Sequence, residues 1–259
     1  MRRVLAGIGL WFALSNAANA RSESPASGKP TIVLVHGAFA ESSSWNGVIG
    51  ELVRDGYPVI AAAVPLRSLE GDAQYVANLT ASVPGSVVLV GHSYGGAVIS
   101  VAAASQSNVR ALVFVAGFAL DVGESAASRG ARFPMGTLGP TLGPPVKLAD
   151  GSADLYILQG KYWKQFASDV PQADASVMAV TQRPIAQAAL GEQAGAKSWD
   201  RLPSWFVWGA ADHNIPSDLQ RFMARRANAR QAIEIPGASH VVMITHARQV
   251  AAIIERAAK

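Results

Sequence analysis

A chain of 259 residues, half of them hydrophobic and 15% charged, can bury one large core, and a single domain with an insertion is as natural as two domains. Its 22 basic and 18 acidic residues give a formal charge of +4 without any Lys/Arg cluster or basic face, so nucleic acid is not an expected partner. Cysteine is absent, which excludes disulfides, a CxxC redox pair, a lipidated N-terminal Cys and thiolate metal sites, and the five histidines show no tight metal-ligand spacing. No metal and no other cofactor is expected.

The first 20 residues have the parts of a secretory signal: a basic start at Arg2 and Arg3, an apolar stretch from Val4 to Leu14, and an A-x-A site at Ala18-Asn19-Ala20. That stretch is too short to span a bilayer. The expectation is cleavage after Ala20 and a periplasmic or secreted protein without a membrane anchor. Cleavage would remove two basic residues and no acids, lowering the formal charge to +2. Residues 21–30, rich in Ser, Pro and Gly, read as a tail leading into the first strand.

From there apolar runs at 31–35, 58–64, 86–90, 110–116, 203–208 and 231–235 alternate with helical patterns. This alternation predicts an α/β fold with a mostly parallel sheet of about six strands and helices on both faces. After the first run, Ser44 is placed to cap a helix in which Trp45, Val48, Ile49, Leu52 and Val53 keep a 3.6-residue period, and Asp55-Gly56 ends it. Ala97 to Ala104 supplies small and β-branched residues for a helix packed tightly on the centre of the sheet. The alternation breaks over 121–198, which divides the mature chain into a core of 21–120 and 199–259 and an insertion between them. The insertion opens with a Gly/Pro-rich run from Phe133 to Pro145 and continues with helical patterns near 152–168, 171–181 and 184–193.

Three of the apolar runs end in groups suited to nucleophilic catalysis. Val87 to Val90 leads directly into Gly91-His92-Ser93-Tyr94-Gly95, a G-x-S-x-G pentapeptide that reads as a strand, a sharp turn and a helix, with Ser93 Oγ lifted above the sheet edge. The flanking glycines have a steric reason, because the turn brings backbone segments too close for a Cβ. The run at 203–208 ends in Gly209-Ala210-Ala211-Asp212, and the run at 231–235 ends in Pro236-Gly237-Ala238-Ser239-His240. Upstream, the first run ends in His36-Gly37-Ala38-Phe39, where glycine allows an N–H to turn toward a ligand. Nucleophile, acid and histidine thus follow separate strands in the order Ser, Asp, His.

With these four ordered motifs, the stretch from about residue 30 to 258 resembles the α/β-hydrolase superfamily. Within it the chain is most similar to the small lidded esterases that include plant methyl-salicylate esterases and hydroxynitrile lyases. The resemblance implies an α/β-hydrolase fold with a helical cap at 121–198. It also implies Ser93 as nucleophile, His240 as its base, Asp212 as the acid that orients the imidazole, and the backbone N–H groups of Ala38 and Tyr94 as oxyanion donors. Asp121, which also follows an apolar run, is a rival to Asp212. His36 and His92 are read as hydrogen-bonders that support the two turns. His213 diverges from its neighbour Asp212, and His246 is a surface or packing residue. Phe39, Phe118, Phe133, Met135, Tyr156 and Trp163 are candidates to line a pocket under the cap.

The expected activity is cleavage of a small, largely apolar ester through an acyl-enzyme. Haloalkane dehalogenases and epoxide hydrolases of this superfamily carry Asp at the elbow, where this chain has Ser93. Plant hydroxynitrile lyases carry a lysine after the catalytic histidine and a threonine after the histidine of the first motif, where this chain has Val241 and Gly37. A cofactor-free peroxidase or C–C-bond hydrolase on the same triad, or a non-enzymatic ligand receptor, are the alternatives.

Overall fold

A computed structural model describes residues 28–131, 133 and 136–259. The expected signal segment at 1–20 and the pocket candidate Met135 lie outside the described residues. The chain forms strand β1 (Thr31–Val35), helix α1 (Asn46–Arg54), β2 (Val59–Ala62), α2 (Leu69–Ala81), β3 (Val87–His92), α3 (Tyr94–Ala102) and β4 (Val109–Val115). The insertion follows as α4 (Ala126–Ala131), β5 (Val146–Lys147), β6 (Ala153–Leu155), α5 (Gln159–Phe166), α6 (Gln172–Thr181), β7 (Ile185–Ala186) and α7 (Gln187–Gly191). The core resumes with β8 (Ser204–Gly209), α8 (Ser217–Arg226), β9 (Gln231–Ile235), α9 (Val242–Thr245) and α10 (Ala247–Ala257).

Six strands form one sheet in the order β2-β1-β3-β4-β8-β9, and every pairing is parallel. All six residues of β3 are buried. Because successive side chains point to opposite faces of a strand, a run buried at every position means that helices cover the sheet on both sides. Helix α3 rests on β1, β3 and β4, and α10 on β3, β4 and β8. At the centre of the sheet Phe114 and Phe206 stack across β4 and β8 with ring centroids 4.6 Å apart. From β1 the chain first adds β2 on one side and then crosses to place β3 on the other. Such a reversal opens a crevice beyond the carboxyl ends of the two middle strands, the usual ligand position in open α/β sheets. The His36 to Phe39 loop and Ser93 both emerge there.

Two local expectations are corrected. Ser44 does not cap α1: its hydroxyl donates to the Glu41 carbonyl at 2.6 Å, and a 3₁₀ turn over Ser42–Trp45 runs straight into the helix. The helical reading of 152–168 fails at its start, since Ala153–Leu155 is a strand and the helix begins only at Gln159. Strand β6 lies between β5 and β7 in an antiparallel sheet, with Asp154 opposite both Val146 and Ala186. Segments of two or three residues are too short to show a period of two, and only tertiary pairing makes them strands. Among the described residues no helix is long and apolar enough to cross a membrane.

Candidate active site

Ser93 sits between the end of β3 and the start of α3 with φ 53° and ψ −122°, a conformation rare for a residue with a side chain. The surrounding backbone enforces it. A Cβ on Gly91 would lie 2.3 Å from the Gly95 carbonyl oxygen, and one on Gly95 would lie 2.5 Å from that of Val35. No real side chain tolerates either distance, so both glycines are required for the turn to close. Strain of this kind costs about 1–3 kcal/mol and persists only where the surroundings over-determine it. Ser93 Oγ makes no hydrogen bond among the described residues, and the residue is 8% exposed.

His240 lies beyond β9, almost fully buried, and its Nδ1–H donates to Asp212 Oδ2 at 2.7 Å. The other oxygen of Asp212 accepts the backbone N–H groups of Asn214 and Ile215 at 2.8 and 2.9 Å. The carboxylate is therefore held on both sides and its proton-accepting oxygen is aimed at the imidazole. His240 Nε2 is buried without a hydrogen-bond partner among the described residues. The ring stands 5.0 Å from Phe166 and 4.7 Å from His92, the neighbour of Ser93. His92 Nε2–H donates to the His240 carbonyl at 3.1 Å. Burial, and then the nearby His240 imidazole, push the His92 pKa well below its ordinary value, so His92 is a neutral prop for the backbone. His36, its pKa lowered by burial, donates Nδ1–H to the Gly37 carbonyl at 2.9 Å.

The loop after β1 closes over the elbow. Phe39 has φ 59°, and both of its backbone polar groups are held from the insertion: its N–H donates to the Arg183 carbonyl at 2.9 Å, and its carbonyl accepts the Tyr162 hydroxyl at 2.8 Å. Burial pushes the Tyr162 pKa upward, which keeps the hydroxyl protonated as a donor. Among the described residues the preceding N–H, that of Ala38, makes no backbone hydrogen bond, and neither does that of Tyr94, which opens α3. A free N–H at a helix start is the ordinary state of that position and is available to an anion.

Ala38, Phe39, Ser93, Tyr94 and Phe118 line one cavity of about 320 Å³, together with Phe166, Leu138, Leu142, Leu190, Asn214 and Ile215. Of the other pocket candidates, Phe133 packs against Phe222 with ring centroids 5.8 Å apart, and Trp163 donates its indole N–H to the Val170 carbonyl. Neither lines this cavity. Tyr156 is exposed and does not line it either. The reason for the Trp163 miss is helical geometry: Tyr162 and Phe166 are four apart on α5 and share the buried face, while Trp163 is turned about one-quarter of the way around. Reading the period over 159–166 instead of picking the largest aromatic would have found Phe166. Asp121 pairs with Lys197 Nζ at 2.8 Å, far from the role of a histidine partner; that hydrogen bond lowers its pKa. His213 is exposed and His246 bonds to Thr245 next to it in sequence. Among the described residues no three His, Asp or Glu side chains gather where they could hold a metal ion.

A strained serine turn, a buried imidazole–carboxylate pair and two backbone N–H groups unengaged among the described residues thus meet at the switch of a parallel sheet, an arrangement of the α/β-hydrolase class. The Alpha/beta hydrolase family matches residues 32–253, and the chain belongs to it. Curated relatives include the putative methylesterase 11, chloroplastic, of Arabidopsis thaliana, 25% identical over 236 residues covering 80% of this chain. The aligned stretch spans 58% of that relative's length. Methylesterase 8 of the same plant is 24% identical, with 82% of this chain and 84% of the relative covered. Among solved structures, polyneuridine aldehyde esterase superposes with a TM-score of 0.77 at 16% identity, covering 89% of this chain and all of its own. An extracellular alpha/beta-hydrolase from a Paenibacillus species gives 0.72 at 20% identity, with 89% and 99% covered. These relatives are the group that the sequence motifs resemble.

Proposed function

We propose that the protein is a serine carboxylesterase acting on small, largely apolar esters, with Ser93 as nucleophile, His240 as general base and Asp212 as its orienting acid. The observation that carries this reading is the doubly anchored Asp212, which holds a buried imidazole whose remaining nitrogen has no partner among the described residues. As Ser93 Oγ attacks the ester carbonyl, its proton passes to His240 Nε2, and the Asp212 carboxylate stabilises the imidazolium that forms. The oxygen that gains negative charge is received by the N–H groups of Ala38 and Tyr94. Collapse expels the alcohol, which takes the proton from His240 Nε2. Water then attacks the acyl group on Ser93 while the same imidazole removes its proton; the acyl–Oγ bond breaks, His240 Nε2 returns that proton to Ser93 Oγ, and the carboxylic acid leaves, so the enzyme returns to its starting state. Every step uses groups of this chain and water.

The cavity supports the substrate class: its wall is mostly aliphatic and aromatic, so it favours an apolar acyl or alcohol part. The reading includes export, on the strength of the signal-like segment at 1–20, and a periplasmic or culture fraction should then contain a species beginning at Arg21 by intact mass. A mature species retaining residues 1–20 contradicts export. The test of the chemistry is a fluorescent fluorophosphonate, which should label the wild-type protein at Ser93 and leave Ser93→Ala unlabelled. Equal labelling of the two proteins would remove Ser93 as the nucleophile.

A further inference from the structure

The cavity beside Ser93 contains one side chain whose polar end has been oriented by a chain of hydrogen bonds. Gln165 is buried on α5, and its Nε2 lies 3.1 Å from the His213 backbone carbonyl, which can only accept. That contact fixes the Gln165 amide with Nε2 as the donor, and Gln165 Oε1 accordingly accepts the Thr137 hydroxyl at 3.0 Å. The second N–H of Nε2 then donates to Asn214 Oδ1 at 2.7 Å. Asn214 in turn is committed: its oxygen is occupied, and its Nδ2 has no partner among the described residues. Asn214 lines the cavity otherwise walled by Phe39, Phe118, Leu138, Leu142 and Phe166. Nδ2 is open to solvent, so its cost comes on binding: a ligand that displaces the solvent leaves the amide donors unpaired unless it supplies an acceptor.

We propose that Asn214 is a specificity residue, selecting esters that carry a hydrogen-bond acceptor, a ketone or ether oxygen, within reach of Nδ2 and away from the scissile carbonyl. This inference rests on the ester-cleaving reading and sharpens its substrate class. An acceptor in the substrate replaces the solvent that binding displaces from these donors, whereas a plain hydrocarbon chain of the same length leaves them unpaired. A pocket built to hydrogen-bond rejects the analogue that lacks the partner group more strongly than a purely apolar pocket rejects a polar one. The donor sense is set by Gln165, so the preference is for acceptors and not for hydroxyl donors.

The experiment compares methyl hexanoate with methyl hexanoates bearing one ketone at successive chain positions, and measures kcat/KM for wild type, Asn214→Leu and Asn214→Asp. Because the Asn214 backbone N–H also holds Asp212, each protein serves as its own reference and only the keto-to-plain ratio is read. At the best ketone position the ratio should fall on the order of threefold to tenfold in both variants relative to wild type. In Asn214→Asp the group facing the cavity becomes an acceptor, so an ester with a hydroxyl in place of that ketone should gain relative to wild type. A merely structural role for Asn214 would lower all rates together and leave the ratios alone. Ratios equal within twofold in all three proteins at every ketone position overturn the inference while leaving the esterase reading intact. Failure of the wild type to cleave any of these esters, together with absent fluorophosphonate labelling, overturns both.

Discussion

The sheet edge and the insertion are held in place by different means. At the edge, geometry comes from backbone approaching backbone: Gly91 against Gly95, Gly95 against Val35, and two main-chain N–H groups on Asp212. The insertion is joined to the core by some backbone bonds, such as that from the Phe39 N–H to the Arg183 carbonyl, but also by many side chains. Glu192 accepts the N–H groups of Leu69 and Glu70 at the start of α2, and Tyr162 reaches Phe39. Glu124 receives two hydrogen bonds from Arg226 and an ion pair from Arg129. Backbone packing has no freedom to relax, whereas a side-chain fastening can be lost singly. The groups at the sheet edge should therefore respond to substitution by large steps, and the insertion by small ones.

Asp212→Asn tests the rigid side. An amide cannot offset the imidazolium charge and favours the wrong tautomer, so turnover should fall by ~10³–10⁴ with little change in melting temperature. A near-normal rate in a folded variant would break the comparison at its strongest point. Tyr162→Phe is next. It removes the hydrogen bond that holds the Phe39 carbonyl, leaving the neighbouring Ala38 N–H less well aimed, and kcat should drop about tenfold while KM moves little. A rise in KM at constant kcat would instead make Tyr162 an ordinary wall residue.

Glu124→Gln probes the stem of the insertion through acidity. Burial alone would raise the Glu124 pKa, but hydrogen bonds from Arg226 and the Asp121 N–H, with the charges of Arg226 and Arg129, hold it below its ordinary value. A carboxyl whose folded pKa is depressed contributes stability above its unfolded value, near ~4.3, and loses it as pH falls through the folded one. The wild-type melting temperature should therefore decline as pH drops below about 4. The variant should melt lower at neutral pH and show a shallower acid slope. Parallel slopes would mean that the ion pair contributes nothing to stability. The smallest effect belongs to Asp121→Asn. Its pair with Lys197 is partly exposed, so less than about 1 kcal/mol of stability and no turnover should be lost.

The same division explains what could be read in advance. The six strands were legible because most are apolar runs closed by glycine or a turn, although β9 carries Gln231 and Glu234, and Ser93, Asp212 and His240 each follow one of those runs. The elbow glycines carried their own steric reason. What escaped lies in the insertion, where β5, β6 and β7 have two or three residues each and exist only through mutual pairing. Phe166 was hidden behind the larger Trp163, although the four-residue spacing from Tyr162 marks it. Asn214 and Gln165 could not be found from spacing at all, because an amide's role depends on which neighbour fixes its orientation.

Phe39 has a consequence for anyone wishing to re-engineer the protein. Its two backbone groups are both bonded to the insertion, one through a carbonyl at Arg183 and one through the Tyr162 hydroxyl. Exchanging residues 121–198 for the corresponding segment of another hydrolase would therefore not simply install a new substrate range. It would also withdraw the scaffolding of the loop that carries Ala38. A graft that retains a tyrosine and a carbonyl at those two places should keep its turnover, and a graft chosen for pocket shape alone should bind a new ester and process it slowly.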